Sequence, residues 1–197
     1  MKYTLFFLLG MLLLSGCNQN PSPKKEKVTI VLQPFDAFPK AYLYEVQKNL
    51  KTIYSSVKVA DNIPFPEGSW NHNKSRRRAD ALIAYLTDIA GQNQLVIGLT
   101  TKDISTSKDS KSDWGVFGLG YRPGKSCIAS TYRLKGNKTE KLFKVAIHEL
   151  GHTQGLPHCP IKNCFMRDAE GKDVLNEETQ FCNSCKTVLI RHGWNLK

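Results

Sequence analysis

The sequence predicts an α/β (α+β) fold, a mixed twisted β-sheet with helices packed on it. Three observations support this. Short apolar, β-branched runs alternate with longer segments of helical period, giving a β-α-β-α-β order from residue 28 onward. The run at 95–100 is continuously apolar up to its terminal threonine, as in a strand buried on both faces. A third helical segment, after Asn137, combines an apolar side with histidines four residues apart.

Taken along the chain, residues 28–33 read as the first strand. Residues 40–54 read as a helix, with Tyr42, Leu43, Val46, Leu50 and Ile53 at helical spacing. Residues 56–61 read as a second strand. Prolines, Gly68 and Trp70 mark 62–75 as an irregular loop. A second helix is expected over 76–90, stopped by Gly91. The polar, serine-rich stretch 102–113 reads as exposed. Residues 114–121 and 127–134 read as further strands. Asn137, three residues before Glu140, starts the third helix as a capping box, and Leu142, Phe143, Val145, Ala146, Ile147 and Leu150 form its apolar side. Asn176 is expected to cap a last helix running to about His192.

That third helix carries His148-Glu149-Leu150-Gly151-His152-Thr153-Gln154-Gly155-Leu156-Pro157-His158, which reads HExxHxxGxxH. Residues four apart share a helix face, so His148 and His152 can reach one zinc ion. Gly155 allows the positive φ that ends the helix and brings His158 back as a third ligand. Three protein ligands leave a fourth position open, as in a catalytic zinc site. Glu149, beside the first ligand, is the candidate general base. It would accept a proton from the water that attacks a peptide carbonyl and pass it to the leaving amine.

Cys159, Cys164, Met166, Cys182 and Cys185 follow the motif, the last two cysteines as C-x-x-C. Two ligand pairs suit tetrahedral zinc–thiolate coordination. Two disulfides would staple the same loops in an exported protein. The whole run resembles the archaemetzincin family. The segments LVIGLTTKDI (95–104), WGVFGLG (114–120) and STYRL (130–134) resemble the strands before that family's zinc helix.

The resemblance implies a metzincin-like fold, with an active-site helix and a small C-terminal subdomain stapled by a second zinc. It implies a zinc metallopeptidase with two Zn2+ per chain. His148, His152 and His158 would hold the catalytic ion, and Cys159, Cys164, Cys182 and Cys185 the structural one. Met166 would form the Met-turn beneath the catalytic ion. It also implies that a peptide substrate lies along a sheet edge, here 127–132. The loop 167–181 is shorter than the family pattern.

Residues 1–16 read as a signal sequence. Lys2 supplies a positive start, 5–9 and 11–14 an apolar run too short to span a bilayer, and Ser15-Gly16-Cys17 a close likeness to a bacterial lipobox. Cys17 is then the lipidated residue and 18–27 a flexible tether, leaving 28–197 as a single metallopeptidase domain. The expected location is a membrane-anchored, extracytoplasmic lipoprotein on the periplasmic or cell-surface side, and the expected state a monomer.

The chain has a formal net charge of +11, and loss of 1–16 leaves 27 basic side chains against 17 acidic ones, or +10. Arg76-Arg77-Arg78 brings no aromatic-rich basic strand or zinc-finger spacing with it, so nucleic acid is not an expected partner, and these arginines read as a helix face or loop. Cys127 reads as a buried lone cysteine, and His72 and His192 as lying outside the site. Tyr121, Tyr132 and Arg133 are possible transition-state partners that the sequence does not place. The competing function is a catalytically inactive, metal-binding surface lipoprotein on the same scaffold. Glu149 weighs against it, since an inactive binder has no need of the base.

Overall fold

A computed structural model describes residues 28–169 and 172–196. The expected signal sequence, Cys17 and the tether lie outside the described residues. Strands β1 (Thr29–Pro34), β2 (Val57–Val59), β4 (Gln94–Thr100), β7 (Gly118–Gly120) and β8 (Ser126–Ser130) form one sheet in the order β2-β1-β4-β8-β7. The first four strands of that order run parallel, and β7 runs antiparallel to β8 at the edge. A second, three-stranded sheet is built from β3 (Arg77–Arg78), β5 (Ile104–Lys108) and β6 (Lys111–Val116).

The helices are α1 (Lys40–Ile53), α2 (Ala79–Ile89), α3 (Lys138–Thr153) and α4 (Asn183–Arg191). Each face of the main sheet is covered, which explains why Leu95–Thr100 reads as an unbroken buried run. On one face Ile30, Leu32, Ile97 and Ala129 pack with Val46 and Leu50 of α1 and Leu142, Ala146 and Leu150 of α3. On the other, Val96 and Ile128 pack with Leu82, Ile83 and Leu86 of α2. Gly98 permits that second layer to come close. A Cβ there would meet Ile128 Cδ1 at 2.5 Å and Leu86 Cδ1 at 2.8 Å. Among the described residues no helix is long and apolar enough to cross a membrane.

Five expectations change. The second helix starts at Ala79, not at 76. Arg77 and Arg78 instead pair with Ile104 and Ser105 as β3, because the arginines have carboxylates and rings to hold them out of a helix. Arg76 pairs with Asp103 at 2.8 Å and Asp113 at 3.1 Å, Arg78 with Asp80 at 2.6 Å, and Arg77 lies over the rings of Phe65 and Trp70.

The polar stretch 102–113 is not simply exposed but forms the β5–β6 hairpin. Ile104, fully buried, draws it onto α2, and Asp109 turns it with φ 52°. The expected strand 114–121 is two strands in two sheets, changing at Phe117, and the strand from 127 ends at Ser130. The last helix begins at Asn183 with Cys182 as N-cap. Asn176 lies in a turn before it, because Phe165 N–H bonds to Gln180 O at 2.8 Å and holds the preceding segment extended.

Candidate active site and metal centres

The helix that carries the site starts and stops on local chemistry. Asn137 Oδ1 accepts the Glu140 N–H at 3.3 Å, and Asn137 Nδ2 donates to Glu140 Oε2 at 3.2 Å. At the other end Gly155 takes φ +84°, its N–H bonds to His152 O at 2.9 Å, and Leu156 N–H bonds to Gly151 O at 3.1 Å. This is a Schellman cap. It turns the chain back so that His158 reaches the face occupied by His148 and His152.

The ring centroids of the three histidines are 4.6 Å (His148–His152), 4.9 Å (His152–His158) and 5.4 Å (His148–His158) apart. One ligand atom from each lies within 4.8 Å of the others. His148 Nδ1–H donates to Phe165 O at 2.7 Å, and His152 Nδ1–H donates to Leu156 O at 2.8 Å. Each carbonyl fixes the tautomer and leaves Nε2 with its lone pair. His158 Nδ1 faces Asp168 Oδ2 at 3.2 Å. Burial pushes the His148 pKa down to about 3 and holds that of His152 below its ordinary value. Both rings are therefore neutral, the form that ligates a metal. This donor set fits zinc.

Glu149 is buried against the sheet edge. Burial raises its pKa to about 8, opposed by a hydrogen bond from the Gly120 backbone N–H. A Cβ at Gly118 would meet Glu149 Cγ and Oε1, each at 2.7 Å, and one at Gly120 would meet the Glu149 carbonyl at 2.6 Å. The sequence reading treated both glycines only as strand residues. The signal was present, since glycine inside a strand marks close backbone approach. Asp168 was also missed, because nothing in its spacing points to His158.

Met166 is fully buried, and its sulfur occupies the space that a Cβ at Gly151 would need, directly under the ligand-bearing turn. Its carbonyl accepts the Cys159 N–H at 2.7 Å.

The four cysteines also converge, with one sulfur of each within 4.8 Å of the others. Cys159 and Cys182 Sγ are 3.7 Å apart, as are Cys164 and Cys185 Sγ. None of the four is disulfide-bonded in the structure. A tetrahedron with Zn–S bonds of about 2.3 Å has edges of about 3.8 Å, so this set also fits zinc.

Other candidates lie elsewhere. Strand β8 is interior, so the edge is β7, not 127–132. Sheet order decides this, and no local pattern reports it. Arg133 is tied to Asp103 at 2.7 Å, Tyr121 OH donates to Asp80 at 3.1 Å, and Tyr132 is exposed. His72 is exposed beside Trp70, His192 caps the end of α4, and Cys127 is buried on β8. Two surface cavities, of about 200 and 390 Å³, are lined by none of the three histidines. The donor chemistry, not cavity size, marks the site.

The profile of peptidase family M54 matches residues 27–191. The chain is 29% identical over 171 residues to the archaemetzincin of Haloquadratum walsbyi, covering 79% of this chain and 96% of the relative. It is 33% identical over 137 residues to that of Methanopyrus kandleri, covering 67% and 74%. The crystal structure of the Methanopyrus kandleri archaemetzincin superposes with a TM-score of 0.72 at 27% identity, over 87% of this chain and 98% of that one. The Archaeoglobus fulgidus archaemetzincin, solved complexed with malonate, shares the fold with a TM-score of 0.68 at 23% identity, over 82% and 99%.

Proposed function

Since the chain belongs to peptidase family M54 and is a zinc metallopeptidase of archaemetzincin type, we propose that His148, His152 and His158 hold its catalytic zinc and that Glu149 is the general base for peptide-bond hydrolysis. When bound, the ion supplies Lewis acidity toward water and the scissile carbonyl. Glu149 takes the proton of the attacking water and returns it to the leaving amine. A pKa pushed up to about 8 suits a group that must do both near neutrality. The observation that carries this reading is the placement of Glu149, one residue from His148 and seated by Gly120 N–H at the edge of the sheet.

The substrate adds as a strand to β7. Ser130 N–H bonds to Phe117 O at 2.8 Å, so the backbone groups of Phe117 face inward. Antiparallel pairing alternates, which turns those of Gly118 and Gly120 outward. Glu149 takes the outward N–H of Gly120, and Gly118 is left to pair with a peptide.

Cys159, Cys164, Cys182 and Cys185 hold a second, structural zinc that ties the start of α4 to the loop carrying His158, and Met166 supports the ligand-bearing turn. Cys17 carries a lipid that anchors a monomeric enzyme outside the cytoplasm, with 28–197 as its single domain.

The test is Glu149→Gln with zinc analysis. We expect retained zinc and turnover lowered by at least about a thousandfold. Cleavage at the wild-type rate sinks the assignment. Two zincs per chain, with five thiols after denaturation and chelation, are expected for the cysteine site together with Cys127. One zinc with a single thiol means two disulfides instead.

A further inference from the structure

A charged side chain beside the histidine-bearing turn of α3 has no part in the proposed reaction. Arg122 follows β7, and two contacts fix where it lies. Gly120, two residues before it, packs against the Glu149 carbonyl, where a Cβ would come within 2.6 Å. Gly124, two residues after it, donates its N–H to Thr153 O at 3.0 Å. Segment 120–124 therefore crosses α3 over the turn from Glu149 to Thr153, the turn that presents His152. His152 is held low chiefly by burial, and the Arg122 charge is among those that add to this.

The neighbouring arginines are already engaged. Arg76 and Arg133 pair with Asp103, Arg78 with Asp80 and Arg167 with Glu177, while Arg77 lies on Phe65 and Trp70. Of these six, Arg122 alone has neither a carboxylate nor an aromatic ring as partner among the described residues, and it is exposed. An antiparallel peptide on β7 places its residues amino-terminal to the scissile bond beside the carboxyl end of the strand, where Arg122 follows.

We propose that Arg122 is a specificity-determining residue, and that the substrates are peptides with an acidic side chain a few residues amino-terminal to the cleaved bond. This rests on the hydrolysis and edge-strand pairing of the preceding section. The pair formed is solvent-exposed, so the preference is modest, about threefold to fivefold for glutamate over glutamine, and salt weakens it.

The full-length, zinc-loaded chain is assayed on quenched peptides that differ only by Glu, Gln or Lys at successive positions amino-terminal to the cleaved bond. The wild type is expected to favour Glu, mainly through KM. Arg122→Lys should keep that order and Arg122→Glu should reverse it. Affinities of the same peptides for the Glu149→Gln chain, read by fluorescence anisotropy, should sort alike without turnover. An absence of acidic preference in the wild type overturns the proposal, and so does an order that survives Arg122→Glu. A wild type that binds the peptides with this order yet cleaves none overturns the proposed reaction while upholding the recognition.

Discussion

Gly118 sits where the sheet edge meets the carboxylate of Glu149, and Glu149 Cγ and Oε1 and Val145 Cγ1 crowd its missing Cβ at 2.7, 2.7 and 2.8 Å. A methyl group there must displace the Glu149 carboxylate, the valine or the strand. Displacing a catalytic group by about 1 Å costs about a hundredfold in rate. Gly118→Ala should therefore lower kcat by roughly that factor with zinc content unchanged, and normal kcat in a zinc-replete variant would show that the base does not depend on this gap. Asp168 lies against His158, the proposed third ligand. Its carboxylate lies 3.2 Å from His158 Nδ1 and completes a set in which each histidine has a Nδ1 partner. Loss of such a partner weakens metal affinity by about tenfold to a hundredfold. Asp168→Asn should do so in a chelator competition, and an unchanged zinc affinity would remove Asp168 from the site.

At the scale of elements, α3 does three jobs. Its apolar side fills the core, its histidine face meets the cleft, and its lysines reach the segment after the ligand loop. Lys141 pairs with Asp173 at 2.6 Å, and Lys144 donates to Leu175 O at 2.8 Å. Glu178 is buried in the same segment, with Oε2 lacking a hydrogen-bond partner among the described residues. Burial pushes its pKa up from 4.5 to about 7, although Lys144 and Arg167 oppose the rise. The folded chain thus holds this proton more tightly than the unfolded chain. Stability from this group is full below about pH 4.5 and is lost as pH rises through about 7. Glu178→Gln removes the penalty. It should stabilise the protein at pH 8 by on the order of 3 kcal/mol and have little effect at pH 4. Urea midpoints at the two pH values read this directly, and an equal effect at both would refute the buried-charge account.

Across the whole molecule, the parallel sheet and the helices on its two faces carry the main hydrophobic core, and the C-terminal part joins it through Phe165, Met166, Phe181, Leu189 and Trp194 together with the four-cysteine cluster. Backbone links there include Cys159 N–H to Met166 O at 2.7 Å, Phe165 N–H to Gln180 O at 2.8 Å and Thr179 N–H to Asn163 O at 2.9 Å. If a second zinc holds this part, removal of metal by a strong chelator should raise amide exchange across 159–167 and 180–191 while β1 and β4 stay protected. Uniform exchange across the chain would mean that metal and fold are not separable in this way.

The sequence by itself determined the helix that carries HExxH, its cap, its turn at Gly155 and the two groups of candidate ligands, because each is written in residues close along the chain and answers to helical period or backbone sterics. It also determined the core strands at 29–34 and 94–100 to within a residue or so, since burial on both faces leaves an apolar run. Only the tertiary structure decided that β7 and not β8 is the sheet edge, that 102–113 is drawn into a hairpin docked by Ile104, that Gly118 and Gly120 lie against Glu149, and that Asp168 lies against His158. These depend on which strands become neighbours and on carboxylates and backbone brought together from distant positions. No local spacing encodes them, because the contacts form only once the sheet has set its order.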